Sequence, residues 1–262
     1  MTTTAMPDVQ SSHDQRNQRI DQVGIKAIQH PLIFNDGDNH TNTIAECMLT
    51  VGLPAERKGT HMSRFVAMLN EQPLTLSVAT LSDWVASMLT RLDATSGVAE
   101  FSFPYFVSKP APVSGQPAMM DYQVTLYGEV DAQGNQHTRV TVVVPVTSLC
   151  PCSKEISAYG AHNQRSHITV TADISDPNLV LADFIAQIEE QGSCPLWGLL
   201  KRPDEKYITE RAFDQPKFVE DIVRDVANCV QNYPGIAGFT ASVENFESIH
   251  NHSAWAVIEH QG

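Results

Sequence analysis

This chain of 262 residues has few cysteines, few positive charges and no long apolar run. No stretch approaches the roughly 18 apolar residues that a membrane-spanning helix needs, which excludes such a helix. Residues 1–22 also lack the apolar centre of a signal peptide. They are polar, with Ser11, Ser12, Asp14, Gln15, Arg16, Asn17, Gln18 and Arg19 in sequence, and read as a disordered tail on a cytoplasmic protein. Only 17 lysines and arginines stand against 30 aspartates and glutamates, a formal net charge of −13. So acidic a balance argues against nucleic acid and membrane surfaces as partners, though a few clustered cations suffice for a small anion. The five cysteines are an odd number in a long chain without an export signal, which argues against a disulfide framework. Cys47 and Cys229 read as small buried hydrophobes, and the context of Cys194 decides nothing.

What is present is ordinary for a globular protein: 42% hydrophobic and 18% charged residues. The length suits one large domain or two fused halves. Residues 25–34 and 43–53 are rich in β-branched and apolar side chains and read as strands. A short helix over 63–70 follows, stopped by Pro73. Ser82 then reads as the N-cap of a helix carrying Trp84, Val85, Met88, Leu89 and Leu92 and ended by Gly97. Strands over 98–107 and 119–130 flank a loop at 109–117 that holds Pro110, Pro112, Gly115 and Pro117. The second half repeats this order. It has strands at 139–146 and 167–174, a helix over 179–190, a helix from Pro216 to about 232, and strands at 236–243 and 254–259. Each half therefore reads as two strands, two helices, two strands, without residue-level repetition. The pattern predicts an α+β fold in which helices cover one face of an antiparallel sheet.

The densest chemistry lies in Ser148-Leu149-Cys150-Pro151-Cys152-Ser153-Lys154-Glu155-Ile156-Ser157, where a strand opens into a loop. Three readings compete. The thiol pair is redox-active, although the usual redox spacing has two intervening residues and this one has one. Alternatively a cysteine is a covalent nucleophile with His162 as its base. Or a thiolate binds a metal, with His162 as a second ligand. Spacing alone does not choose among them, but two cysteines around a proline with a histidine close behind argue against loop residues without function.

Three further clusters carry charge. Lys201-Arg202-Pro203-Asp204-Glu205-Lys206 reads by default as a solvated charged loop, yet its cations suit phosphates, and Glu205 or Asp204 would be a hard metal ligand. In the turn Glu247-Ser248-Ile249-His250-Asn251-His252, a carboxylate three residues before His250 can orient its ring for acid–base work, while His252 reads as surface. Glu220 lies near the start of a helix, where an acidic residue complements the dipole. Buried there, it would instead accept paired N–H bonds from a base edge.

Together these blocks closely resemble one family. Ser148 to Ser157, followed by Tyr159-Gly160-Ala161-His162-Asn163-Gln164-Arg165-Ser166, resembles the signature of type IB GTP cyclohydrolase I. Gly59-Thr60-His61-Met62-Ser63-Arg64-Phe65 resembles its N-terminal signature. Leu199-Leu200-Lys201-Arg202-Pro203-Asp204-Glu205-Lys206, Phe218-Val219-Glu220-Asp221 and the Glu247 to His252 turn match further blocks in order. The resemblance runs from about Ile25 to the C-terminus, with no departure at a motif position.

That resemblance implies the tunnelling fold: tandem units, each a four-stranded antiparallel sheet with two helices on one face. The expected division is a polar tail at 1–22, a first half at 23–134 and a second half at 135–262 carrying most catalytic residues. It also implies a homotetramer with sites between subunits, converting GTP to 7,8-dihydroneopterin triphosphate and formate, the first step toward tetrahydrofolate. By position, Cys150, His162 and Glu205 match the ligands of a divalent metal ion (manganese, iron or zinc), and Cys152 a second site cysteine. Glu220 matches the guanine anchor, and Glu247 and His250 the acid–base pair. His61, Arg64, Lys154, Lys201 and Arg202 are candidates for the triphosphate. The rival readings are a nitrile reductase of the same fold, with a nucleophilic cysteine and NADPH, and a metal- or purine-binding module without catalysis. The nitrile reductase's substrate-binding motif is not found in this chain.

Overall fold

The computed structural model describes residues 9, 10 and 12–261. Its elements run β1 (Ile20–Asp36), β2 (Asn39–Leu53), α1 (Met62–Asn70), β3 (Leu74–Leu76), α2 (Leu81–Leu92), β4 (Gly97–Pro110), β5 (Pro117–Val130) and β6 (Gln136–Leu149). They continue with α3 (Pro151–Ile156), β7 (Asn163–Ile174), α4 (Leu181–Glu189), β8 (Cys194–Pro195), α5 (Arg202–Asp214), α6 (Val219–Gln231), β9 (Ile236–Asn245) and β10 (Ala254–His260). This is a mixed α+β fold with a large antiparallel sheet, in which β1 pairs with β3 in parallel. The chain forms two compact units, and the long strands β4 and β5 contribute to both. One unit holds the chain to Asn35, Asn42–Phe103 and Leu126–Thr138. The other holds Asp36–Thr41, Pro104–Thr125 and the chain from Arg139 onward.

In the first unit α1 and α2 pack together, and Phe65, Leu69, Val85 and Met88 are fully buried. Cys47 pairs with Phe101 across β2 and β4, and Phe34 and Phe103 meet at a ring distance of 5.1 Å. Burial pushes the Cys47 thiol up to about 11, as suits an inert core cysteine.

The second unit owes its core to alternation. Val140, Val142, Val144 and Val146 of β6 point to one side, as do Ile168, Val170 and Ala172 of β7, and all are buried. Helix α6 covers β9 and β10 with Val219, Ile222, Val223, Val226 and Val230, and α4 packs on α6 through Phe184, Ile185 and Ile188. Each such burial contributes about 1.5–3 kcal/mol relative to exposure. Cys194 is fully buried and its thiol is pushed up to about 11 by burial; burial also raises that of Cys229.

Two buried carboxylates tie helix starts to a strand end and to a loop. Asp36 accepts from the N–H groups of Leu181 (2.6 Å) and Ala182 (2.9 Å) at the start of α4, and from the Tyr105 hydroxyl (2.6 Å). Burial, and then this carboxylate, hold the Tyr105 hydroxyl well above its ordinary range. Asp204 accepts from the Val113 and Ser114 N–H groups, the Ser114 hydroxyl and the Lys201 N–H, at 2.7–2.9 Å. Its own burial opposes ionisation, but these donors reverse that and keep the carboxyl well below the usual carboxylate range.

Several expectations need correction. Residues 1–8 and 11 of the expected tail lie outside the described residues, while within it His13 bridges to Arg57 and β1 already starts at Ile20. Helix α2 begins at Leu81 with Thr80, not Ser82, at the cap position, and it ends at Asp93 in the left-handed conformation rather than at Gly97. Helix α6 begins at Val219, because the Asp221 carboxylate accepts the Phe218 N–H (2.9 Å) and closes the turn there, three residues past Pro216. The stretch after Leu149 is helix α3 rather than open loop, and the charged stretch from Arg202 is helix α5 rather than a solvated loop. Three helices, not two, therefore lie between β7 and β9.

Candidate active site

Strands β6, β7 and β9 lie side by side, and their inward positions end in polar residues. After four valines β6 places Ser148 inward; β7 begins with Gln164 and Ser166; β9 ends on Asn245. All four are buried. Ser148 stands opposite Gln164, and Ser166 opposite Asn245. Two residues further along each strand come Cys150, His162 and Glu247. One step past the Leu149–Asn163 pair, the Cys150 N–H donates to the His162 carbonyl (3.1 Å). The two residues therefore stand side by side just beyond the ladder's last pair.

Cys150 caps α3, and its Sγ accepts the Ser153 N–H at 3.4 Å. The Ser153 hydroxyl donates to the Cys150 carbonyl (3.1 Å) and accepts the His162 N–H (3.2 Å), which locks the two backbones together. Glu247 brings its Oε2 to 3.9 Å from His162 Nδ1, with the two side chains only 12% and 13% exposed. A chain of close contacts leads inward from the same nitrogen. His162 Nδ1 lies 2.9 Å from Gln164 Oε1, Gln164 Nε2 donates to Ser148 Oγ (2.8 Å), and Ser166 Oγ stands 2.8 Å from Ser148 Oγ and 2.7 Å from Asn245 Oδ1. None of these four was singled out as a site residue. The signal available was a polar residue at an inward position of an otherwise apolar alternation.

A match to the family described as type I GTP cyclohydrolase folE2 covers residues 6–256. The chain is 55% identical over 261 residues to the GTP cyclohydrolase FolE2 of Thiobacillus denitrificans, covering 99% of this chain and 96% of that one. It is 53% identical over 256 residues to that of an Azoarcus species, covering 97% and 95%, and 54% identical over 254 residues to that of Ralstonia nicotianae, covering 97% and 94%. The chain belongs to the type I GTP cyclohydrolase FolE2 family. Among solved structures, the uricase of Arthrobacter globiformis shares the fold at 8% identity, with a TM-score of 0.55 over 92% of this chain and 93% of that one.

Within this cyclohydrolase the remaining candidates are spread out. Cys152 is exposed on α3. Glu205 is exposed on α5, and its side chain does not join Cys150 and His162: among the described residues no three His, Cys, Asp or Glu side chains gather as a metal site. The donors fit a divalent ion as a soft–borderline pair, one sulfur and one imidazole nitrogen, short of the third expected ligand. Glu220 is exposed in the first turn of α6 rather than buried. The structure brings Glu247 to His162 and not to His250, whose ring stacks on His252 with centroids 5.1 Å apart. Lys201 and Arg202 are exposed at the start of α5. Lys154 is engaged elsewhere, donating to the Phe213 carbonyl with its ammonium 4.2 Å from the Phe213 ring centroid. In the other unit Arg64 donates to the Arg91 carbonyl (3.3 Å), and His61 precedes α1.

A cavity of about 830 Å³ opens on the opposite face of β6 and β7, lined in part by Thr147, Asn163, Arg165, His167, Trp197 and Phe213. Its cation, Arg165, was not among the sequence candidates. Burial, then Arg165, lower the basicity of His167, while Glu244 opposes them.

Proposed function

We propose that this cyclohydrolase opens the imidazole ring of GTP hydrolytically at the pole of the sheet where Cys150, His162 and Glu247 meet, releasing formate and yielding 7,8-dihydroneopterin triphosphate, the entry to tetrahydrofolate. The observation that carries the reading is the Cys150 N–H bond to the His162 carbonyl, one step past the last β6–β7 pair, which brings the two residues together at a strand end. Those two side chains would hold the divalent ion (manganese, iron or zinc), with Glu205 as the proposed third ligand. When bound, such an ion supplies a water activated for attack on carbon 8 of the guanine. Glu220, exposed in a helix's first turn, is open to the exocyclic amine and ring N–H of a guanine edge. His250 moves protons as the ring opens and formate leaves, while Glu247 aligns the His162 imidazole. Cys152 completes the site wall. Lys201 and Arg202 offset the triphosphate charge, and His61 and Arg64 remain candidates for that role.

The working form in this proposal is a cytoplasmic homotetramer of tandem tunnelling-fold halves, residues 23–134 and 135–262. The test is purified protein mixed with Mn²⁺ and GTP alone, following formate and, after oxidation, pterin fluorescence. Production of both without any reductant is the expected result. Cys150→Ala should fold normally and lose turnover; near-normal activity in that variant would refute the placement of the site.

A further inference from the structure

The first link of the polar chain beneath His162 can run in only two directions. In one, His162 Nδ1–H donates to Gln164 Oε1 and Gln164 Nε2–H donates to the Ser148 hydroxyl. The Ser148 hydroxyl also accepts from the Ser166 hydroxyl, which stands 2.7 Å from Asn245 Oδ1. In the other, Gln164 turns its amide over, the Ser148 hydroxyl donates to it, and Nδ1 is a bare lone pair. Positions of heavy atoms alone do not separate the two. Glu247 does. Its carboxylate stands 3.9 Å from the same Nδ1 in a shielded setting, and a carboxylate favours a proton on the nitrogen it faces and repels a lone pair. The first direction is therefore the one adopted.

We infer that Gln164 is a positioning residue: anchored through Ser148 and Ser166 to Asn245, it holds the proton of the His162 ring on Nδ1 and so turns an unprotonated Nε2 toward the site. The inference rests on the proposed role of His162, and it adds why that ring works as a donor of electrons. Neutral imidazole has one lone pair, and only the nitrogen without the proton can bind a cation or take a proton. A ring free to exchange its proton between the nitrogens would spend part of its time in the wrong form. The strand pattern agrees with this purpose. Val, Ile, Ala and Phe fill the buried inward positions elsewhere on β6, β7 and β9, and apolar residues at Ser148, Gln164, Ser166 and Asn245 would pack without hydrogen-bond demands. The four polar residues stand only at the end nearest His162.

The test uses the full chain labelled with ¹⁵N-histidine, with metal chelated, at about pH 8, above the ordinary imidazole range. Long-range proton–nitrogen correlation reads which ring nitrogen is protonated, and the His162 signal is assigned by its absence in His162→Asn. The wild type should show the proton on Nδ1. Gln164→Leu should lose that pattern and lower kcat for GTP ring opening about 10–100-fold, with KM changed less than about twofold. Gln164→Glu keeps an acceptor against Nδ1, so it should keep the pattern and recover most of kcat. A wild-type ring protonated on Nε2, or a Gln164→Leu protein with an unchanged ring or unchanged kcat, would overturn the inference. Should Gln164→Leu fail to fold, the wild-type pattern and Gln164→Glu decide it. Normal turnover in His162→Asn beside an Nδ1-protonated wild type would instead remove the catalytic reading and leave the ring assignment intact.

Discussion

Replacing Asp36 with alanine takes the acceptor from three donors at once. Two are the first free N–H groups of α4, on Leu181 and Ala182, and the third is the hydroxyl of the fully buried Tyr105. Removing a side chain that caps a helix start costs about 0.5–2 kcal/mol. A buried hydroxyl that loses its acceptor adds about 1–3 kcal/mol, reduced where water enters the space left by the carboxylate. The sum is about 2–4 kcal/mol, a drop in melting temperature of about 5–15 °C for a chain of this size. Asp36→Asn keeps one oxygen for a donor and should lose about half as much. Thermal and urea unfolding followed by circular dichroism would measure both, with kcat/KM for GTP at a temperature where each variant is folded. Activity should be unchanged, since Asp36 touches none of the candidate catalytic residues. An Asp36→Ala protein within about 0.5 kcal/mol of wild type, the range of an ordinary surface change, would refute the view that this carboxylate holds α4 to β1.

Glu220→Ala should raise KM for GTP sharply, because a charge-assisted pair of contacts to the guanine edge is worth on the order of 2–5 kcal/mol; equal use of GTP and of ITP, which lacks the exocyclic amine, by the wild type would contradict that anchor. Protein stripped by a chelator should regain activity with Mn²⁺ or Fe²⁺ at least as well as with Zn²⁺, even though zinc binds a thiolate–imidazole pair more tightly; rescue by zinc alone would defeat this while leaving the reaction assigned. Asp204 has a depressed carboxyl, so its contribution is complete above the ordinary carboxylate range and is lost as pH falls through its lower folded value. Asp204→Asn should thus be less stable than wild type at neutral pH, and the gap should narrow below about pH 4; a gap that widened in acid would reverse the sign of the argument.

The long strands were legible because a buried face imposes an alternation of period two, seen in Val140, Val142, Val144 and Val146. Helix α5 was not, for a physical reason: only Asp204 and Ala212 are buried along it, so no apolar stripe marks it, and a carboxylate clasp rather than a hydrophobic face holds its first turn. Helix α3 and strand β8 are six and two residues long, too short for any periodicity. At the site, the order of motifs named the cyclohydrolase family before any geometry was known. What linear order did not carry was which partner each side chain meets. Glu247 lies three residues from His250 in the chain, yet it faces His162, 85 residues away, because β9 runs beside β7. Gln164 and Ser148 stood in the quoted motif, but their roles depend on register across strands.

The separation of Glu247 from Cys150 also orders events during synthesis. The cysteine and histidine can pair as soon as β6 and β7 form a hairpin-like ladder, well before the ribosome has made the rest of the chain. Asn245 and Glu247 follow only after α4, β8, α5 and α6 have been made. Until then Ser166 has no amide to meet, the imidazole has no carboxylate beside it, and the thiol stands near an unfinished ladder edge. A nascent chain, or one cut short before β9, would carry the Cys150–His162 pair without the two groups that set the ring, and so could gather a stray metal ion before it could use one.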